Sequence, residues 1–195
     1  MNQETLQYYE DNAEVFIAGT VNADMSDARQ RFLKLLPADA LILDFGCGSG
    51  RDTKAFLDAG YRVDAADGSE QLCKSATAYT GIPVRQMLFQ ELDSVDEYDG
   101  IWACASLLHL PKHELGDVLQ RISCALKPQG VLYTSFKKGT FEGMRNGRFF
   151  TDFTEETLHE FWQCVPSLLI SDIWITQDVR PEREEQWINI LAMSK

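Results

Sequence analysis

The stretch "LILDFGCGSG" at positions 41–50 limits what this chain can fold into more than any other. "LILDF" is short and apolar, as a buried strand is, and glycines then fall at 46, 48 and 50. "RDTKAFLDAG" follows, with apolar positions that suit a helix. Glycine adopts backbone torsions closed to other residues and lets a ligand approach the main chain. At the carboxyl end of a parallel strand, beside a helix N-terminus, such a loop sits where open α/β sheets bind nucleotides. The same glycines would also serve a tight strand-to-helix turn that holds no ligand.

Beyond this stretch, strand-length apolar runs alternate with amphipathic stretches of helix length, the pattern of parallel strands joined by crossover helices. The pattern predicts an α/β fold with strands at 41–45, 61–66, 83–88, 99–104 and 130–136. Helices are expected at 26–36, 51–59, 69–79, 112–126 and 154–163. The tail changes character: "SLLISDIWITQDV" and "QWINILAMS" are separated only by the polar "RPEREE". That connection lacks a crossover helix, so the two runs are expected to pair antiparallel.

Composition narrows the function classes. A length of 195 residues suits one domain, and no apolar run approaches the roughly 20 residues that span a bilayer. "MNQETLQYYEDNAEVF" does not read as a signal peptide, so a cytoplasmic location and no membrane partner are expected. Five cysteines, at 47, 73, 104, 124 and 164, contain no CxxC pair, which disfavours a disulfide framework and a metal site. A net charge of −12 argues against nucleic acid as a partner, because phosphate binding needs clustered Lys and Arg.

The second strand, within "YRVDAADGS", ends in Asp67, where a carboxylate can accept hydrogen bonds from both hydroxyls of a ribose. The glycine spacing is G-x-G-x-G, however, whereas dinucleotide sites use G-x-G-x-x-G, and position 51 is Arg. A nucleoside cofactor without a pyrophosphate fits better than NAD.

These residues resemble the class I S-adenosylmethionine-dependent methyltransferases, whose principal motifs are an "LDxGxGxG" loop and an acid ending the second strand. The resemblance covers roughly residues 40–136, and "YDGIWACASLLHLP" and "CALKPQGVLYTSF" look like the tellurite-resistance-like or thiopurine-type small-molecule enzymes of that class. It implies a Rossmann-like open sheet of about seven strands with helices on both faces, mostly parallel and closed by the antiparallel C-terminal hairpin. It also implies S-adenosyl-L-methionine as cofactor and a small-molecule methyl acceptor. Asp44 would orient the loop from below, and Gly46, Cys47 and Gly48 would pass close to the methionine portion. Asp67 would take the ribose, with Gly68 beside it, and Ala103 would offer its carbonyl to the cofactor's amino group. Arg51 is either a partner for the cofactor carboxylate or an exposed helix-face residue. After the third strand the chain departs from the family pattern. Leu88 stands where relatives have an acid for the adenine, which leaves backbone groups with Phe89, or Gln90, as the adenine contacts.

Methyl transfer needs an aligned nucleophile, excluded water and sometimes a base, so no catalytic triad is expected. His109 follows the fourth strand and is either structural or substrate-facing, whereas His113 and His159 read as surface-helix residues. Two segments outside the cofactor motifs are candidates for the acceptor pocket. The first lies in residues 1–30, where Tyr8 and Tyr9 either close as a lid or pack on the sheet edge. The second is the glycine-containing loop at 137–153, "KKGTFEGMRNGRFFTDF", whose Arg145, Arg148, Phe149 and Phe150 suit an anionic or aromatic substrate. An NAD-dependent oxidoreductase and a noncatalytic cofactor-binding or regulatory protein are the competing readings.

Overall fold

The structure is a computed structural model and describes residues 2–180 and 183–195. Three short helices open the chain, α1 (Gln3–Asp11), α2 (Ala13–Thr20) and α3 (Ser26–Leu33). There follow β1 (Leu41–Phe45), α4 (Arg51–Asp58), β2 (Arg62–Asp67), α5 (Glu70–Thr80), β3 (Val84–Gln86) and β4 (Tyr98–Ala103). Then come α6 (Lys112–Ala125), β5 (Leu126–Lys137), β6 (Glu142–Arg145), β7 (Arg148–Thr151) and α7 (Glu155–Trp162). The chain ends in β8 (Leu168–Gln177) and β9 (Gln186–Ser194). Seven strands form one sheet in the order β3-β2-β1-β4-β5-β9-β8. The first five run parallel, while β9 is antiparallel to both β5 and β8, as the short polar connection in the tail requires.

The pleat sends alternate side chains to opposite faces, and both faces are covered. Leu43, Phe45, Ile101 and Ala103 pack on one side, beneath α6 and α7 residues such as Leu119 and Leu158. Ile42, Trp102 and Tyr133 face the other side, where Trp102 stacks on Tyr133 at 3.8 Å and also meets Phe32 and Phe56. This two-sided burial explains why the central strands read as continuous apolar runs.

Several boundaries differ from expectation. The helix expected to 36 stops at Leu33, and the third strand keeps only three paired residues. β5 begins at Leu126 rather than 130, because the backbone pairs before and after an irregularity in which Gln129 takes φ +66°. The largest correction concerns 137–153. It is not a loop but a second, two-stranded sheet, with β6 and β7 antiparallel and Arg145 opposite Arg148. Asn146 and Gly147, at φ +52° and +75°, make the two-residue turn. Asn-Gly is the preferred chemistry for such a turn, since both central residues need positive φ.

Candidate active site

The glycine loop between β1 and α4 has all three glycines at positive φ: Gly46 at +83°, Gly48 at +54° and Gly50 at +77°. A Cβ on Gly46 would lie 2.5 Å from Ser106 Cβ, and one on Gly50 would lie 2.8 Å from Thr80 Cγ2, so packing alone demands glycine at both. Gly48 differs, because its Cβ would meet the ring of Phe16 from α2 at 2.9 Å. The residue covering Gly48 is therefore an aromatic side chain of the N-terminal helices, a residue the sequence did not single out. The Gly46 and Cys47 amides both donate to Ala66 O, at 2.8 and 3.0 Å, which ties the loop to the end of β2.

Asp67 ends β2 and turns back on this loop. Its Oδ2 accepts from Gly48 N and its Oδ1 from Ser69 N, both at 2.9 Å. A carboxylate has about four lone-pair sites, so two amides leave capacity for hydroxyl donors. Burial raises its pKa, against the pull of these amides. Beneath the loop, Asp44 accepts from Thr53 Oγ1 at 2.5 Å, and burial together with nearby Asp52 raises its pKa to about 7. Gly68 stands beside Leu6 of α1, which would lie 2.7 Å from an added Cβ.

Arg51 is neither exposed nor free. It pairs with Asp52 at 2.5 Å, and Asp52 also takes Arg29 Nη1 at 2.6 Å and Trp102 Nε1 at 3.0 Å. Although burial pushes the Asp52 pKa up, the two guanidinium groups bring it below the usual carboxylate range. Asp52 is the organising group of this corner. Its only sequence signal was its position beside Arg51 at the helix start.

One cavity joins these groups to the far end of the sheet, and Asp44, Gly46, Cys47, Gly48, Arg51, Asp67 and Gly68 all line it. Phe89, in a 3-10 turn after β3, lines it and meets Phe45 edge-on at 4.8 Å. Gln90 instead donates to Glu114 Oε2 at 2.5 Å, away from the cavity, so of the two adenine candidates the structure brings Phe89 to the wall. Ala103 is fully buried within β4 and is not part of the wall. Cys104, Ala105 and Ser106 take its place, because the chain turns into the cavity only after the strand ends.

At the other end Tyr9, His109, Arg148 and Phe150 converge. His109 Nδ1 lies 2.6 Å from the Phe149 carbonyl, which can only accept, so Nδ1 carries the proton. Nε2 is then a lone pair, and the Tyr9 hydroxyl, 2.7 Å away, donates to it. Burial, aided by the positive charges of Arg148 and Lys137, lowers the His109 pKa to about 4 and keeps the ring neutral near pH 7. Burial likewise raises the Tyr9 pKa. Tyr8 stands outside the cavity, its ring 4.5 Å from the Arg148 guanidinium. His113 and His159 are exposed on helices, as expected.

The N-terminal helices are fastened over this space. Glu10 accepts from Glu70 N at 2.5 Å and Gln71 N at 3.3 Å, at the start of α5, and Thr5 Oγ1 accepts from Phe149 N at 2.9 Å. α1 thus bridges the β2 side of the site to β7.

Residues 42–130 match a methyltransferase domain family. The fold superposes with a TM-score of 0.78 and 26% identity on the crystal structure of Burkholderia thailandensis 1,6-didemethyltoxoflavin-N1-methyltransferase, which holds S-adenosylhomocysteine and 1,6-didemethyltoxoflavin. That match covers 97% of this chain and 84% of the other. An uncharacterized methyltransferase of Staphylococcus carnosus is 21% identical over 89% of this chain and 92% of its own length. Human N-terminal Xaa-Pro-Lys N-methyltransferase 1 is 32% identical, but over only 53% of this chain and 51% of its own, so the chain spans about half that protein. The domain match, the seven-stranded Rossmann-like fold and these relatives converge on one activity, S-adenosylmethionine-dependent methyl transfer.

Proposed function

We propose that this enzyme methylates a small molecule held between the Tyr9–His109 pair and the β6–β7 hairpin. The observation that carries the reading is the single cavity lined at one end by the glycine loop and Asp67 and at the other by Tyr9, His109, Arg148 and Phe150, with α1 and α2 above it. A macromolecular acceptor would have to enter past those helices, whereas a small one fits beneath them. The Burkholderia methyltransferase, whose crystal structure holds 1,6-didemethyltoxoflavin beside S-adenosylhomocysteine, supports the same choice.

In this reading Gly46, Cys47 and Gly48 receive the methionine portion of the cofactor, Asp67 its ribose, and Phe89 its adenine. Asp44 and the Arg51–Asp52 pair hold the loop from below, and Ser106 takes the place expected of Ala103. When bound, the cofactor would supply an electrophilic methyl on a sulfonium, which an acceptor lone pair could take as the C–S electron pair returns to sulfur. The protein's contribution is alignment and exclusion of water, with residues 1–30 acting as the lid and 137–153 as the acceptor wall. His109 Nε2 is the candidate acceptor for any proton the substrate loses, with Tyr9 moving aside. Among the described residues no helix is long and apolar enough to cross a membrane. We place the enzyme in the cytoplasm, without nucleic-acid or membrane partners.

The test is a screen of small nucleophiles beside synthetic N-terminal peptides, with methyl-labelled S-adenosylmethionine and product mass as readout. Labelled small products are expected. Labelling confined to the peptides would overturn the small-molecule reading.

A further inference from the structure

Resting on the small-molecule reading, we infer that the acceptor is a planar anion whose negative group docks on the Arg148 guanidinium. Five cationic side chains line the cavity: Arg51, Lys137, Arg148, Arg180 and Arg183. Four have carboxylate partners. Arg51 pairs with Asp52 at 2.5 Å, Lys137 with Glu185 at 2.9 Å, Arg180 with Asp178 at 2.5 Å, and Arg183 with Glu185 at 3.7 Å. Arg148 has no such partner among the described residues. Its one polar side-chain contact is the Tyr9 hydroxyl, 3.5 Å from Nη1, and its Nε is buried without a hydrogen-bond partner.

A guanidinium stays charged at any working pH and carries five N–H donors. Three rings face this one, with centroids 4.5, 5.8 and 5.2 Å away in Tyr8, Tyr9 and Phe150. Rings attract the cation but offer its N–H groups no in-plane acceptor. A partly buried charge with idle donors is costly until an anion completes it. In a chain of net charge −12 that matches the other four cations with its own carboxylates, the unmatched one marks where the ligand brings the charge. The fork geometry suits two oxygens, or an oxygen and a nitrogen, in one plane, and the flanking rings favour a flat body. Aromatic carboxylates and the ionised N–H or O–H edges of heteroaromatics are that class. The His109 pKa of about 4 agrees, since so weak a base suffices only for an acceptor that is itself acidic.

The experiment uses the full chain saturated with S-adenosylhomocysteine and titrates two matched probe pairs, 4-hydroxybenzoate against 4-hydroxybenzamide and nicotinate against nicotinamide. The anion of at least one pair is expected to bind about tenfold or more tightly than its amide, as a charge-assisted pair implies. Arg148→Met should erase that preference while leaving affinity for S-adenosylhomocysteine and the thermal midpoint near wild type. Arg148→Lys, which keeps the charge but loses the fork, should retain part of it. A wild type that binds S-adenosylhomocysteine but shows no preference for either anion, or an undiminished preference in Arg148→Met, overturns the inference and leaves methyl transfer standing.

Discussion

The two ends of the cavity are built on different principles. At the glycine-loop end the contacts are backbone amides and carboxylates close together in sequence: Gly48 N reaches Asp67 across 19 positions, and Asp44 reaches Thr53 across 9. At the hairpin end they are side chains brought from afar, with Tyr9 meeting His109 across 100 positions and Thr5 meeting Phe149 across 144. The first end is acidic and suits a sulfonium nucleoside. The second ends in an unmatched guanidinium. The contrast teaches that the glycine-loop end is assembled mostly from neighbouring strands and the loop between them, whereas the end proposed for the acceptor exists only once the N-terminal helices have folded over the sheet.

The sharpest way to break this comparison is Gly48→Val. A left-handed φ costs an ordinary side chain roughly 1–2 kcal/mol, and the added branch also meets Phe16 and the cofactor's path. Cofactor binding should be abolished, seen as loss of the thermal shift that saturating S-adenosylmethionine confers on the wild type. A lowered midpoint with a ligand shift of wild-type size would mean that Gly48 serves only the turn and its packing. Next in size is Asp67→Ala, which removes the proposed ribose acceptor and strands the Gly48 and Ser69 amides. S-adenosylmethionine should bind about 1–3 kcal/mol more weakly by calorimetry. Unchanged affinity in a folded variant would make this acid purely structural.

The smallest expected effect is a pH slope that nearly vanishes, because the two ends oppose each other. His109 has a folded pKa of about 4 against an ordinary 6.5. The unfolded chain therefore binds more protons in that window, and stability is lost as pH falls through it. Asp44 has a folded pKa of about 7 against 3.8, so the folded chain binds more protons, and stability is lost as pH rises through that range. Between about pH 4 and 6.5 the two slopes oppose each other in the wild type, and the raised Asp67 carboxyl acts in the same direction as Asp44. Asp44→Asn should expose the His109 slope, with urea-unfolding free energy rising as pH goes from 4 to 6.5. If the slope of the variant matches that of the wild type, Asp44 does not titrate in this range.

How much was legible follows the same division. The sheet and its antiparallel tail could be read because strand periodicity and connection length are local, and the place of Asp67 against the glycine loop because it ends the adjacent strand. The place of Phe89 in the cavity wall was legible only through the family resemblance. Cys104, Ala105 and Ser106 rather than Ala103 line the cavity, because the exact residue at which a strand turns into a cavity depends on packing. The hairpin at 142–151 was misread as a loop although Asn146-Gly147 between two short runs is its local signal.

By itself, the sequence determined the α/β architecture, the glycine conformations at 46, 48 and 50, and the acid that answers them. The physical reason is that torsional freedom and strand alternation act over a few residues. Only the tertiary structure decided that Arg51 is consumed by Asp52, that Phe16 covers Gly48, that His109 is neutral with its Nε2 lone pair on Tyr9, and that Arg148 lacks a carboxylate among the described residues. Those facts depend on which side chains meet once the chain has folded, from Phe16 over Gly48 to Tyr9 against His109 across 100 positions, and on the burial that such meetings create.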